Sequence, residues 1–277
     1  MARTRKRTGE KDKSSAWGNS LPFIVSFAIL GVVVFFMYQT YQSPVDPKTF
    51  CPQSEKGLGV TALIIDVSDK LTKSQGARLE NELENISNVS EERPSAFLEK
   101  GERMLVYFVK PEGQDFHSVF DLCHPGDIAN RTWDEKATEG EFFAQRKWQK
   151  FKSGMVSEIT KEIDNSTEVD TSPIIETIQY VRDKHFPPSD LMDRTTNYRI
   201  VLWSDMLQHS KETSHFQNLG DSKAVLKRNP MNLDGIDVWI FYLISEKYSD
   251  YQTGEHMTWW REIFSLSQAR LKAIRPL

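Results

Sequence analysis

Asp66 and Ser68 close one apolar run, Asp205 closes another, and Thr171 with Ser172 stands just before a helix-forming stretch. Carboxylates and hydroxyls are hard oxygen donors. A divalent cation such as Mg2+ gathers such donors into an octahedral shell and keeps several waters. At alternating loop positions Asp66 and Ser68 share a side, and Lys70 follows two residues further on. An ammonium there repels a cation and can pair with Asp66 or Asp205 instead. Two chemistries follow. In one, oxygen donors of this kind hold a cation, with Lys70 turned to solvent. In the other, Lys70 replaces the cation, the site is structural and no cofactor is needed. A third use of the same residues is catalytic. His209, four residues after Asp205, can serve as a general base, which makes a divalent-metal-dependent phosphoester hydrolase using Asp66 and Asp205 the alternative to a binding site. No Gly-x-Ser-x-Gly elbow, phosphate loop, dinucleotide fingerprint or zinc spacing accompanies them, which favours a binding module over an enzyme.

The elements that must position these residues are legible from periodicity. Residues 60–65 form a continuous apolar run rich in branched side chains, the pattern of a strand buried on both faces of a parallel sheet. Asp66 then lies at the carboxyl end of that strand, where open α/β sheets present ligands. Arg103 to Val109, Tyr198 to Ser204 and Gly235 to Ile244 read as further strands, and Phe116 to Phe120 as a short one. Helical spacing is expected from Lys73 to Ile86 and from Phe142 to Ile163. The second carries an apolar stripe of Phe143, Trp148, Phe151, Met155, Ile159 and Ile163. A helix from Ile174 is expected to take Ser172 as its cap and Pro173 as its first residue. A last helix is expected over His256 to Ile274, with Leu271 and Ile274 buried. Strands alternating with helices of ten or more residues imply a mostly parallel sheet covered on both faces, a doubly wound α/β domain.

With those elements in place the chain resembles the von Willebrand factor A family. That family takes Asp-x-Ser-x-Ser after its first strand, a Thr from a middle loop and an Asp after a later apolar strand. Here these correspond to Asp66, Ser68, Thr171 and the Asp205 that follows Tyr198 to Ser204, while Lys70 stands where the second Ser would be. The resemblance spans roughly residues 58–274. It implies a Rossmann-like fold and a degenerate metal-ion-dependent adhesion site. It also implies recognition of a partner protein at the sheet's carboxyl-terminal rim, through a Mg2+ that a partner carboxylate would complete.

The remainder concerns placement. Residues 1–13 carry six basic and two acidic side chains, so a chain of net charge −4 has a body of −8, a poor match for nucleic acid. No charged residue occurs between Lys13 and Asp46, and Leu21 to Tyr38 is apolar but for Ser26. A helix of that length spans about 27–31 Å, the thickness of a hydrocarbon core. The expectation is a single-pass protein: a basic cytoplasmic tail over 1–16, a transmembrane signal anchor over 17–41, a linker over 42–57 and an exported domain over 58–277, periplasmic or extracellular. Such a protein would assemble with partners in a membrane complex. On the exported side, Cys51 and Cys123, the only two cysteines, are expected to form a disulfide. Asn85, Asn88, Asn130 and Asn165 head Asn-x-Ser/Thr triplets.

Overall fold

Six strands form one sheet in the order β3-β2-β1-β4-β5-β6. They are β1 (Val60–Ile65), β2 (Arg103–Phe108), β3 (Phe120–Cys123), β4 (Tyr198–Ser204), β5 (Asp237–Tyr242) and β6 (Arg270–Pro276). The computed structural model describes residues 21–41, 45–52, 59–87, 98–111, 113–126, 128, 131–133, 136, 139–217 and 219–277. All strand pairings are parallel except β2 with β3, which is antiparallel with Arg103 opposite Cys123. Strand order runs outward from β1 to one edge and from β4 to the other. The boundary between β1 and β4 is therefore the topological switch point, where doubly wound sheets open a crevice beyond their carboxyl ends. Along that boundary Ile65 pairs with Trp203, which brings Asp66 level with Ser204 and Asp205 one residue beyond.

Every residue of β1 is buried, because both faces are covered. On one face Ala62 and Ile64 pack with α4 (Ile174–His185), α5 (Ser222–Arg228) and α6 (Gly254–Leu266) through Ile174, Ile178, Val225, Trp260 and Phe264. On the other, Leu63 and Ile65 pack with α2 (Lys73–Ser87) and α3 (Glu141–Asn165) through Leu79, Leu83, Phe151, Met155 and Ile159. The start of α2 is set by a capping box. The Gln75 N–H donates to Thr72 Oγ1 at 3.2 Å while the Thr72 N–H donates to Gln75 Oε1 at 2.9 Å.

Three expectations are corrected. The last helix stops at Leu266, and the chain turns through Gln268 at a φ of 63° into β6 beside β5. Leu271 and Ile274 are thus partly buried strand residues rather than helix residues. Arg270-Leu-Lys-Ala-Ile-Arg carries both periods, and pairing with β5 selects the strand. Second, α4 begins at Ile174 with no side-chain cap, because the Ser172 hydroxyl is used elsewhere. Third, the apolar stripe of α3 starts later than expected: Phe143 is exposed and Trp148 half-buried, while Ala144 and Phe151 are buried.

The chain divides into two units, Met1–Pro44 and Val45–Leu277. The first contains α1, Leu21–Tyr41, an unbroken helix of 21 residues. Residues 17–20 of the expected span, and the basic tail, lie outside the described residues, as do Asn88 and Asn130. Side chains are described for residues 25–35 of α1, and among the described residues no helix is long and apolar enough to cross a membrane. In the second unit, residues 45–52 are fastened rather than free. Val45 bridges Pro52, Phe50 is buried, and Cys51 is disulfide-bonded to Cys123 across a separation of 72 residues. The disulfide expected from the cysteine count is therefore present.

Candidate functional site

The parallel alignment of β1 and β4 delivers Asp66 and Asp205 to one rim, both buried. Hydrogen bonds fix Asp66. Its Oδ1 accepts from the Ser68 N–H at 3.0 Å, and its Oδ2 accepts from the hydroxyls of Ser172 at 2.8 Å and Ser204 at 2.9 Å. Ser172 is brought there by a two-way backbone bridge to His209, each N–H donating to the other's carbonyl at 2.8 Å. A single carboxylate thus joins the post-β1 loop, the start of α4 and the end of β4. Asp205 is held by one donor, the Leu207 N–H, at 2.9 Å. Burial first, and then the charge of Asp66, pushes the Asp205 carboxyl well above the usual carboxylate range. Burial beside a second carboxylate makes ionisation of Asp205 more costly.

The backbone just after Asp205 is strained. Met206 adopts a φ of 61°, in the left-handed region that non-glycine residues rarely occupy. Its carbonyl is clamped from α6 by the Nε2–H of His256 at 2.8 Å and the Nε1–H of Trp260 at 2.7 Å. With Nε2 donating, the Nδ1 of His256 accepts from the Tyr242 hydroxyl at 3.0 Å. Burial lowers the His256 pKa. Burial and then His256 drive His215, packed edge-on at 4.6 Å, down to about 3. Burial and then the Asp205 charge raise Tyr242 to about 12. Behind the rim, then, stands a neutral aromatic and imidazole wall that disfavours positive charge. Gln252 fastens the top by donating to the carbonyls of Asp205 at 3.1 Å and Leu243 at 2.7 Å.

In front lie two cavities that meet at Ser68, Asp69 and Asp205. One, of about 390 Å³, is lined by Asp66, Lys70, Arg78, Glu168 and Lys247 among others. The second, of about 320 Å³, is lined by Thr171, Ser172, His209, Phe216 and Tyr248 among others. The four residues expected to act together, Asp66, Ser68, Thr171 and Asp205, are therefore gathered at one rim. Ser204, the serine of the Ser-Asp pair that ends the apolar strand, and Asp69, which periodicity and motif did not single out, belong with them. Asp69 stood at a position the family's pattern leaves unspecified. Burial raises the Asp69 pKa, while Lys247, at 3.9 Å, and the Ser245 hydroxyl oppose the rise.

Two expected pairings are not made. Lys70 is exposed and, among the described residues, forms no ion pair with Asp66 or Asp205, so it does not sit between the carboxylates. The Nδ1 of His209 lies 2.8 Å from the Ser214 hydroxyl and its ring packs edge-on to Phe216, so it is not paired with Asp205 as a general base would be. As for a cation, the donors are all oxygens, the right chemistry for Mg2+. Both oxygens of Asp66 are nevertheless already used by protein donors. Among the described residues no three His, Cys, Asp or Glu side chains gather closely enough to hold a metal. The arrangement is that of a site held by its own hydrogen bonds, and no chemistry through a metal is derived from it.

No family matches the chain, and no curated protein matches it by sequence. Among solved structures it is similar to proximal thread matrix protein 1 from the mussel byssus. That likeness has 10% identity and a TM-score of 0.36, over 76% of this chain and 48% of that one. The same mussel protein with a zinc-occupied MIDAS motif gives 10% identity and a TM-score of 0.35. The manganese-loaded TRAP protein of Plasmodium vivax gives 11% and 0.33, over 72% of this chain and 63% of that one. The chain spans about half the length of the mussel protein and less than two thirds of the Plasmodium one. Similarity at this level leaves the reading of the site to its own geometry. That geometry defines a class: a doubly wound α/β domain with a carboxylate-bearing crevice at its switch point.

Proposed function

We propose that this chain is a single-pass membrane protein whose exported, von Willebrand factor A-like domain binds a partner protein at the carboxyl-terminal rim of its sheet. The observation that carries the reading is the placement of Asp66 and Asp205 at the carboxyl ends of adjacent parallel strands, on either side of the switch point and open to two cavities. Crevices of this kind are where open α/β sheets bind ligands. The rim suits a partner because its floor is buried and hydrogen-bonded while its margin is charged and exposed, with Lys70 and Lys247 at the edge.

Anchorage is supported by the sequence of α1, 21 residues without a charge, and by the basic residues that precede it. A disulfide in the second unit agrees with export to an oxidising compartment. In this reading the rim holds no metal ion. Calorimetric titration of the domain with Mg2+ and Mn2+ should give no heat at millimolar metal, and binding abolished by Asp66→Ala would overturn that part.

The partner test is a crosslinking pull-down from the native host with the charge-reversing rim variants Lys70→Glu and Lys247→Glu. Both positions are exposed, so the fold survives and loss of a specific crosslinked partner is expected. Retention of every partner by both variants, together with loss of partners when α1 is exchanged for an unrelated span, would move the recognition surface from the rim to the span.

A further inference from the structure

The two cavities in front of the rim differ in charge. The first has Lys70, Arg78 and Lys247 among its lining residues. The second, of about 320 Å³, is lined by the carboxylates Asp69, Asp170 and Asp205 and, among the described residues, by no lysine or arginine. The rest of its lining includes an aromatic wall. The half-buried Phe216 ring lies 5.0 Å from that of Tyr248 and 5.3 Å from that of His209. Carboxylate oxygens beside aromatic rings are the groups that receive an ammonium or a guanidinium. The oxygens accept its N–H bonds, and the ring faces attract its charge.

Two observations beyond the acidic lining point to such a group. The first is Asp205 itself, 8% exposed and shared by both cavities. Its Oδ1 accepts from the Leu207 N–H, while its Oδ2 accepts from no donor among the described residues. A carboxylate so deeply buried is costly unless a further donor reaches it. The second is Lys247, which shows the same chemistry at the margin with this chain's own ammonium. Its Nζ lies 4.7 Å from the centre of the Tyr248 ring and 3.9 Å from the Asp69 carboxylate. That ammonium stays with Asp69 in an exposed position, and among the described residues Asp205 has no ion-pair partner.

We infer that the second cavity takes a basic side chain of the partner protein, an arginine or a lysine, with its charged head on Asp205 and Asp69 and its stem against Phe216 and Tyr248. The family resemblance implies a partner carboxylate, and the cavity's own charge asks for the opposite sign. The inference rests on the rim-binding reading above, and its test separates the two. The full chain in detergent micelles is photolabelled with diazirine-tagged Nα-acyl methylamides of arginine and of lysine at millimolar concentration, and the labelled positions are read by mass spectrometry. Label is expected within residues 168–172, 205–217 and 247–251. Untagged Nα-acetyl-arginine methylamide should compete, and its citrulline counterpart, of like shape without the charge, should not. Asp205→Asn should lower the label about tenfold, the worth of one charged hydrogen bond. Asp69→Asn, at a partly exposed position where the fold survives, should lower it several-fold. Equal competition by citrulline, or label undiminished in both variants, sinks the inference. Label from the glutamate counterpart alone would reverse the sign of the partner group and overturn it while leaving the rim as the recognition surface. If Lys70→Glu and Lys247→Glu lose the partner but neither basic probe labels the cavity, the inference fails alone. If partners are lost only when α1 is exchanged, the rim reading fails, and the inference falls with it even where the probes label.

Discussion

The two ends of the sheet bury carboxylates in opposite ways. At the amino-terminal edge Glu102 is buried and answered: the Arg199 guanidinium donates to it at 2.7 Å, and the Thr61 hydroxyl and the Glu99 N–H donate as well. Beside it Arg103 makes a two-pronged bond to Asp121, both contacts at 2.7 Å, and the disulfide closes the same edge. Burial still raises Glu102, against the pull of Arg199. At the rim, Asp66 and Asp205 are buried with hydroxyls and N–H groups and, among the described residues, pair with no Lys or Arg. One edge is built to be stable. The other keeps an electrostatic deficit that a merely structural end of a sheet would not need, and a strained Met206 stands next to it.

Substitutions break or sharpen that contrast. The largest effect is expected from Arg199→Ala, which strands Glu102 as an unpaired buried charge and should cost about 3–5 kcal/mol in urea unfolding. Removing the disulfide with Cys51→Ser and Cys123→Ser should cost about 2–4 kcal/mol, measured the same way. Third is the wall behind the rim. His215 and His256 are held neutral in the folded state below their ordinary range, so the unfolded chain binds more protons. Their contribution is intact above about pH 6.5 and is lost as pH falls toward the His215 value of about 3. The acid limb of a pH–stability curve should fall by up to about 1.4 kcal/mol per pH unit for each group, and His215→Phe should flatten it.

The smallest effect has the opposite sign. Asp205 is raised, so ionising it costs folding free energy as pH rises above the usual carboxylate range. Asp205→Asn keeps an acceptor for the Leu207 N–H and should raise stability at neutral pH by about 1 kcal/mol, while lowering it if the two ends were built alike. Thermal unfolding at pH 4 and pH 7.5 decides, since the gain should vanish at the lower pH.

Much of the fold was legible. Tyr198–Ser204 was readable residue for residue, because a strand covered on both faces is a near-continuous apolar run, interrupted here only by Arg199 near its start and Ser204 at its end. The edge strand β6 was hidden, since one buried face leaves a pattern that a helix shares. Ser172 was readable as a polar residue before a helix. Its bond to Asp66 was not, because a serine's local options as a cap and its long-range option as a donor look alike in a linear chain.

The sequence alone determined the apolar central strands, the carboxylates at their ends, the cysteine pair and the charge-free helix, because burial and hydropathy act on each segment by itself. Only the tertiary structure decided that Ser172 and Ser204 would hold Asp66, that Lys70 would stay in solvent and that burial beside Asp66 would raise the Asp205 carboxyl. Those outcomes depend on the side-by-side placement of β1 and β4, and on which donors that placement brings within hydrogen-bond reach.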